Sequence, residues 1–137
     1  DLGIPKTLAL VEQLEAINPY LTYETYTERV VPSNVERLFS ECDVVVEAFD
    51  KPDQKAMLLE NLLTKLPEKP VVSGSGMAGY GSANLIRTEK RFGHVYLCGD
   101  GTSDVADGLG LMAPRVAVCS AHEGTMVLRL LIGETEP

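Results

Sequence analysis

Residues 42–63 read Cys-Asp-Val-Val-Val-Glu-Ala-Phe-Asp-Lys-Pro-Asp-Gln-Lys-Ala-Met-Leu-Leu-Glu-Asn-Leu-Leu, and this stretch decides the fold class. Val44 to Phe49 is a short run rich in β-branched and apolar residues, the pattern of a strand buried on both faces. Asp50 follows at once. Pro52 suits the first turn of a helix, where its missing N–H has no intrahelical partner to lose. Leu58, Leu59, Leu62, Leu63 and Leu66 then recur at helical spacing. The order is strand, acidic residue, helix. In open α/β sheets ligands bind beyond the carboxyl ends of the strands. Asp50 stands at such an end, where it can serve a ligand or simply cap the helix.

The flanking chain alternates in the same way. Residues 5–17 read as a helix, with Pro5 in the first turn and Leu8, Val11, Leu14 and Ile17 as its stripe. Asn18-Pro19 ends it. Residues 21–30, dense in Thr and Tyr, read as a strand. Ser33-Asn34-Val35-Glu36 fits a capping box opening a short helix to about Ser40. Past the central strand and helix, Val71-Val72-Ser73 begins another strand. Residues 84–89 and 94–98 suggest two more around Arg91-Phe92-Gly93. Residues 99–113, rich in Gly and Asp, read as a loop, and Pro114 opens a last helix to about Ile132, with Gly133 at its C-cap. Strands alternating with helices imply an α/β fold with a mostly parallel sheet and antiparallel later strands. One domain over 1–137 is expected.

Bulk properties exclude several classes. A net charge of −8 argues against a duplex nucleic-acid binder, which needs a basic patch. It leaves nucleotide binding open, since a few local cations can hold phosphates. No apolar run reaches the length of a membrane span, and none is expected to contact membrane. Cys42, Cys98 and Cys119 are odd in number, widely spaced and without a C-x-x-C pair, so neither a disulfide framework nor structural zinc is indicated. A reducing, cytoplasmic setting follows from that usage.

Several residues are candidates for chemistry. Lys6 begins the first helix, where a cation opposes the macrodipole, so it either reaches a phosphate or is a solvated lysine. Lys51 and Lys55 are four apart and share a helix face toward an anion, or balance Asp53 and Glu60 on the surface. Gly74-Ser75-Gly76-Met77-Ala78-Gly79 matches the dinucleotide fingerprint in letters, but extended residues follow it where that fingerprint requires a helix. A strand end and loop is the better reading. Cys98 is a candidate nucleophile with His94 at i−4, or a structural thiol. Asp100, Asp104 and Asp107 lack calcium-loop spacing and read as solvated loop acids. His122 reads as a surface or packing residue.

The order of short motifs adds a resemblance. Leu2-Gly3-Ile4-Pro5-Lys6-Thr7, Ile17-Asn18-Pro19, Asp43-Val44-Val45-Val46-Glu47-Ala48-Phe49-Asp50 and Ala113-Pro114-Arg115-Val116 follow one another. A helix ending Leu130-Leu131-Ile132-Gly133-Glu134 closes the series. Together they resemble the ThiF family, adenylyltransferases acting on the sulfur-carrier protein of thiamine biosynthesis. Molybdopterin-synthase adenylyltransferase and the ubiquitin-activating enzymes are related to it. The resemblance covers essentially the whole chain and implies an incomplete Rossmann-like, mostly parallel sheet flanked by helices. It implies ATP and Mg²⁺ as cofactors, a small ubiquitin-like sulfur carrier as partner, and a homodimer. By the same resemblance Lys6 contacts ATP phosphates, Asp50 serves the Mg-ATP and adenylate site, and Lys55 adds a basic residue for the nucleotide. Asp50-Lys51 departs from the family's usual Asp-Asn, and the missing C-x-x-C pairs imply a zinc-free version.

The family's N-terminal strand, Gly-rich loop and Asn-x-x-Arg-Gln segment have no counterpart here, so the chain is expected to be a C-terminal portion, inactive alone. In the doubly wound order the first two strands lie between the third and fourth. Residues 1–40 are therefore expected to repack or to pair with another copy. The alternative function is a non-catalytic ThiF-like protein-binding or dimerisation module. A dinucleotide-dependent oxidoreductase is a third.

Overall fold

A computed structural model describes residues 3–137. It contains two compact units, one within the first 30 residues and one spanning Val31–Pro137.

In the first unit α1 spans Lys6–Ile17, as the apolar spacing predicts. Residues 21–30 form no strand, which corrects the sequence reading. Thr and Tyr favour strands only where a neighbour completes the ladder. Here their hydroxyls turn to α1 and its C-cap instead. Tyr23 reaches the carbonyls of Asn18 at 2.8 Å and Leu14 at 3.2 Å, and the Thr27 hydroxyl meets that of Thr7 at 3.0 Å.

The second unit runs α2 (Val35–Phe39), β1 (Val45–Glu47), α3 (Pro52–Lys65), β2 (Val71–Gly74), β3 (Arg87–Lys90), β4 (Val95–Gly99) and α4 (Ala113–Leu131). The predicted capping box at Ser33 is not made. Asn34 is the N-cap of α2, and its carboxamide oxygen accepts from the Val31 N–H at 2.9 Å. The strand predicted from residue 84 starts only at Arg87. Ser82 caps a 3₁₀ turn over Ala83–Leu85 and holds those residues out of the ladder.

The four strands lie in the order β1-β2-β4-β3. β1 pairs parallel to β2 and β2 parallel to β4, while β3 returns antiparallel to β4. This is the α/β class and mixed sheet that the strand–helix alternation predicts. Val71 and Val72 are both buried because α3 and α4 cover opposite faces, which makes a continuous apolar run necessary in β2. Val72, Tyr96, Cys98, Ile86, Cys119 and Met126 form the core on the α4 side. Leu58 and Leu62 of α3 are buried too. Among the described residues no helix is long and apolar enough to cross a membrane.

Candidate functional site

The carboxyl ends of β1 and β2 carry a polar knot inside an apolar sheet. Glu47, the last residue of β1, is 1% exposed. Its Oε2 accepts from Lys55 Nζ at 2.6 Å and from Ser73 Oγ at 2.5 Å, and its Oε1 accepts from the Phe49 N–H at 2.6 Å. Lys55 Nζ also donates to the Gly74 carbonyl at 3.0 Å. Glu123 of α4 approaches from the other layer, since a Cβ built on Gly74 would lie 2.8 Å from its Oε1. Burial raises the Glu123 carboxyl, Lys55 opposes that rise, and Glu47 adds to it.

Asp50 stands just beyond this knot. It is exposed, and its side chain has no partner among the described residues. It does not cap α3. The N-cap is Lys51, with no side-chain cap bond. Lys51 is exposed, whereas Lys55 on the same helix turns inward, so the two do not converge as a surface pair. Lys6 is exposed at the first residue of α1, in the first unit.

A second knot lies where the loop after β2 meets the loop after β4. Asp100 Oδ2 is 2.6 Å from Arg115 Nη2, with side chains 9% and 5% exposed. Asp100 Oδ1 accepts from the N–H groups of Thr102 at 2.9 Å and Ser103 at 2.8 Å. Arg115 Nη1 donates to the Ser82 carbonyl at 3.0 Å. Asp100 is therefore not a solvated loop acid. Its counter-charge comes from a residue fifteen positions later, beyond any local reading. Asp104 and Asp107 do stay local, as a capping box on the 3₁₀ turn Val105–Asp107.

Burial alone would raise the Asp100 carboxyl, but the Ser103 and Thr102 N–H groups and the Arg115 charge outweigh it and bring it down to about 2. A depressed carboxyl stabilises the fold above its ordinary value, and that stability is lost as pH falls through the depressed one. Urea midpoints should thus drop between about pH 4 and about pH 2. Asp100→Asn should flatten the drop, and an unaltered slope would remove Asp100 as its source.

Cys98 is fully buried at the end of β4, and burial pushes its thiol up, Thr88 opposing and Glu123 adding. Cys119 is also buried, its thiol pushed up to about 11, and it donates to the Cys98 carbonyl at 3.2 Å. His94 pairs with Glu68 instead of Cys98. The imidazole linked to Cys98 is His122, through the Thr88 hydroxyl at 3.0 Å from Nδ1 and 3.5 Å from the sulfur. A raised, sealed thiol is a poor nucleophile. Among the described residues no group of three or more His, Cys, Asp or Glu could hold a metal ion. Gly74–Gly79 leads into a loop and then a 3₁₀ turn, so no helix N-terminus is present to cradle a pyrophosphate.

The model of the ThiF family matches residues 1–137. The chain belongs to the ThiF family. Among its relatives is the adenylyltransferase and sulfurtransferase UBA4 of Lodderomyces elongisporus, 24% identical over 139 residues, covering 96% of this chain and 30% of that protein. UBA4 of Eremothecium gossypii is 26% identical over 138 residues, with the same two coverages of 96% and 30%. The ThiF-family chain thus spans about 30% of the length of these curated relatives. Among solved structures, the E. coli tRNA N6-threonylcarbamoyladenosine dehydratase TcdA in complex with ATP superposes with a TM-score of 0.74 at 18% identity. That match covers 95% of this chain and 65% of TcdA, and at such identity it speaks for the fold alone.

Sequence reading missed Glu47, Ser73, Glu123 and Arg115 as site residues. One signal was available for Glu47: an acid inside an otherwise apolar strand requires a buried partner.

Proposed function

We propose that this ThiF-family chain forms part of an ATP-dependent adenylyltransferase that activates the C-terminal carboxylate of a small ubiquitin-like sulfur carrier. The observation that carries the reading is that an exposed, uncommitted Asp50 follows the carboxyl end of a parallel strand whose last residue, Glu47, holds Lys55. The family membership and the names of the UBA4 relatives support it. In the reaction the carrier's carboxylate attacks the α-phosphorus of ATP, the bond to the β-phosphate oxygen breaks, and pyrophosphate leaves with that electron pair. No protein nucleophile is needed, which agrees with buried, raised Cys98 and Cys119. The chain's own part is positioning and charge. Lys55 meets a phosphate oxygen, and the ThiF resemblance gives Lys6 a phosphate contact as well.

Mg²⁺ commonly takes one or two carboxylates and leaves its other positions to water and substrate phosphates. The free carboxylate of Asp50 fits that demand and would hold the ion, which when bound offsets phosphate charge. The segments 74–81 and 99–113, joined by a bridge between Ala78 and Leu111, would receive the carrier's tail. The motif order that resembles ThiF supports thiamine biosynthesis as the pathway, a homodimer as the assembly and the cytoplasm as the setting.

The reading is tested by ATP–pyrophosphate exchange in the full-length protein with its carrier. Asp50→Asn should lower exchange at least about a hundredfold, the scale of removing one electrostatic stabiliser. Exchange at the wild-type rate would sink the assignment of Asp50. Leu111 and Met112 are exposed beside the bridge. Replacing both by Ser should weaken carrier binding about tenfold, the loss of one modest interface anchor. Unchanged affinity in a pull-down titration would move the carrier off these loops.

A further inference from the structure

Three donors converge on the Glu47 carboxylate: Lys55 Nζ, Ser73 Oγ and the Phe49 N–H. Stability alone does not call for such an arrangement. A buried ion pair is commonly matched or bettered by apolar side chains of similar volume. The neighbours Val45, Val71 and Leu58 are all buried and apolar, so an apolar pair would suit the packing here. The ion pair has another feature that packing does not explain. A lysine ammonium has three N–H donors. Two of them go to Glu47 and to the Gly74 carbonyl. The third is uncommitted, and the Lys55 side chain remains 26% exposed. Its bonds to Glu47 and Gly74, the last residues of β1 and β2, place its head at the carboxyl ends of these strands, where ligands of open α/β sheets bind.

A free lysine on a helix face would sample many rotamers, and ordering it on a ligand would cost conformational entropy. Glu47 removes that cost beforehand. Its own carboxylate cannot swing away, because the Phe49 N–H holds one oxygen and the Ser73 hydroxyl holds the other. We propose that Glu47 is a positioning residue, which with Ser73 locks the Lys55 ammonium so that its remaining N–H meets a phosphate oxygen of the bound nucleotide. The inference rests on the adenylyltransferase reading and adds to it residues that touch no substrate. The other charge facing Lys55 is Glu123 from α4, which makes no hydrogen bond among the described residues.

The first measurement needs no nucleotide. A lysine ammonium held by hydrogen bonds gives a slowly exchanging ¹⁵N–H signal, and a free one does not. The Lys55 signal should be visible in the wild-type chain, vanish in Glu47→Gln, and broaden in Ser73→Ala with the backbone spectrum preserved. Should Glu47→Gln fail to fold, Ser73→Ala decides the point. Glu123→Gln should leave the signal in place. Its loss there would assign the hold to net charge and overturn the role of Glu47. So would the absence of a Lys55 signal in the wild type.

The second measurement is pyrophosphate exchange by the full-length protein. Removal of a binding contact made equally in ground and transition states raises KM and spares kcat. Glu47→Gln should raise the KM for ATP about tenfold with kcat within about threefold. An unchanged KM overturns the proposal. A wild-type protein without any exchange would instead discard the adenylyltransferase reading, while the ammonium signal would still decide whether Glu47 positions Lys55.

Discussion

Replacing Arg115 with Met should destabilise the Val31–Pro137 unit by about 3–5 kcal/mol, the cost of leaving a buried charge without its partner. Arg115 sits in the first turn of α4, where a cation opposes the helix dipole, so local energetics do not favour it there. It is retained by what it holds. Its guanidinium ties Asp100, in the loop after β4, and the Ser82 carbonyl, in the loop after β2, to the start of α4. With Met in its place, Asp100 keeps its backbone donors from Thr102 and Ser103 but loses its counter-charge. Urea denaturation at neutral pH measures the effect. The double variant with Asp100→Asn should recover part of it, because the stranded carboxylate is then gone and the two sites are directly coupled. A loss below about 1 kcal/mol in the single variant would mean that water compensates Asp100 and that the knot is dispensable.

Gly99→Ala should cost more than about 4 kcal/mol or prevent folding altogether, which is the range reserved for core and backbone clashes. Gly99 ends β4 with φ at +143°, and a Cβ there would run into the Ser75 carbonyl. The two strand ends cannot separate to make room. Ser75 N–H donates to the Cys98 carbonyl at 2.7 Å, and Gly101 N–H returns to the Ser75 carbonyl at 3.1 Å. Gly108 is the matched reference. It has φ at +78°, but nothing lies within 4 Å of the position a Cβ would take there. Gly108→Ala should therefore cost only about 1–2 kcal/mol, the penalty of a left-handed conformation by itself. Equal losses at the two positions would show that dihedral strain, and not close backbone approach, sets the requirement at Gly99.

Legibility from sequence followed the range of the interaction. The helices α1, α3 and α4 were readable because their apolar spacing, Pro starts and terminal signals all lie within a few residues. The strand cores around Val45, Val71 and Val95 were readable for the same reason. Burial of 44–49 on both faces was not borne out, since β1 stands at the end of the strand order and Val46 is exposed. The strand expected over 21–30 failed because β-propensity states a preference and pairing requires a partner elsewhere. Asp100 was misread because its nearest charge, Arg115, lies on another element. Lys55 stands out in the sequence as a site candidate, but its inward turn depends on Glu47 and Ser73, which only the β1–β2 register brings together.

The sequence by itself determined the α/β class, the strand–acid–helix order at 42–63 and the membership in the ThiF family, since each depends on local periodicity or on motif order. Only the tertiary structure decided what stands at the end of β1. Asp50 is left exposed and uncommitted, while Glu47, three residues earlier on the buried face, takes the lysine. The physical reason is that a carboxylate inside a sheet must find its donors across strands, and Ser73 and Lys55 become its neighbours only when β2 and α3 close over it.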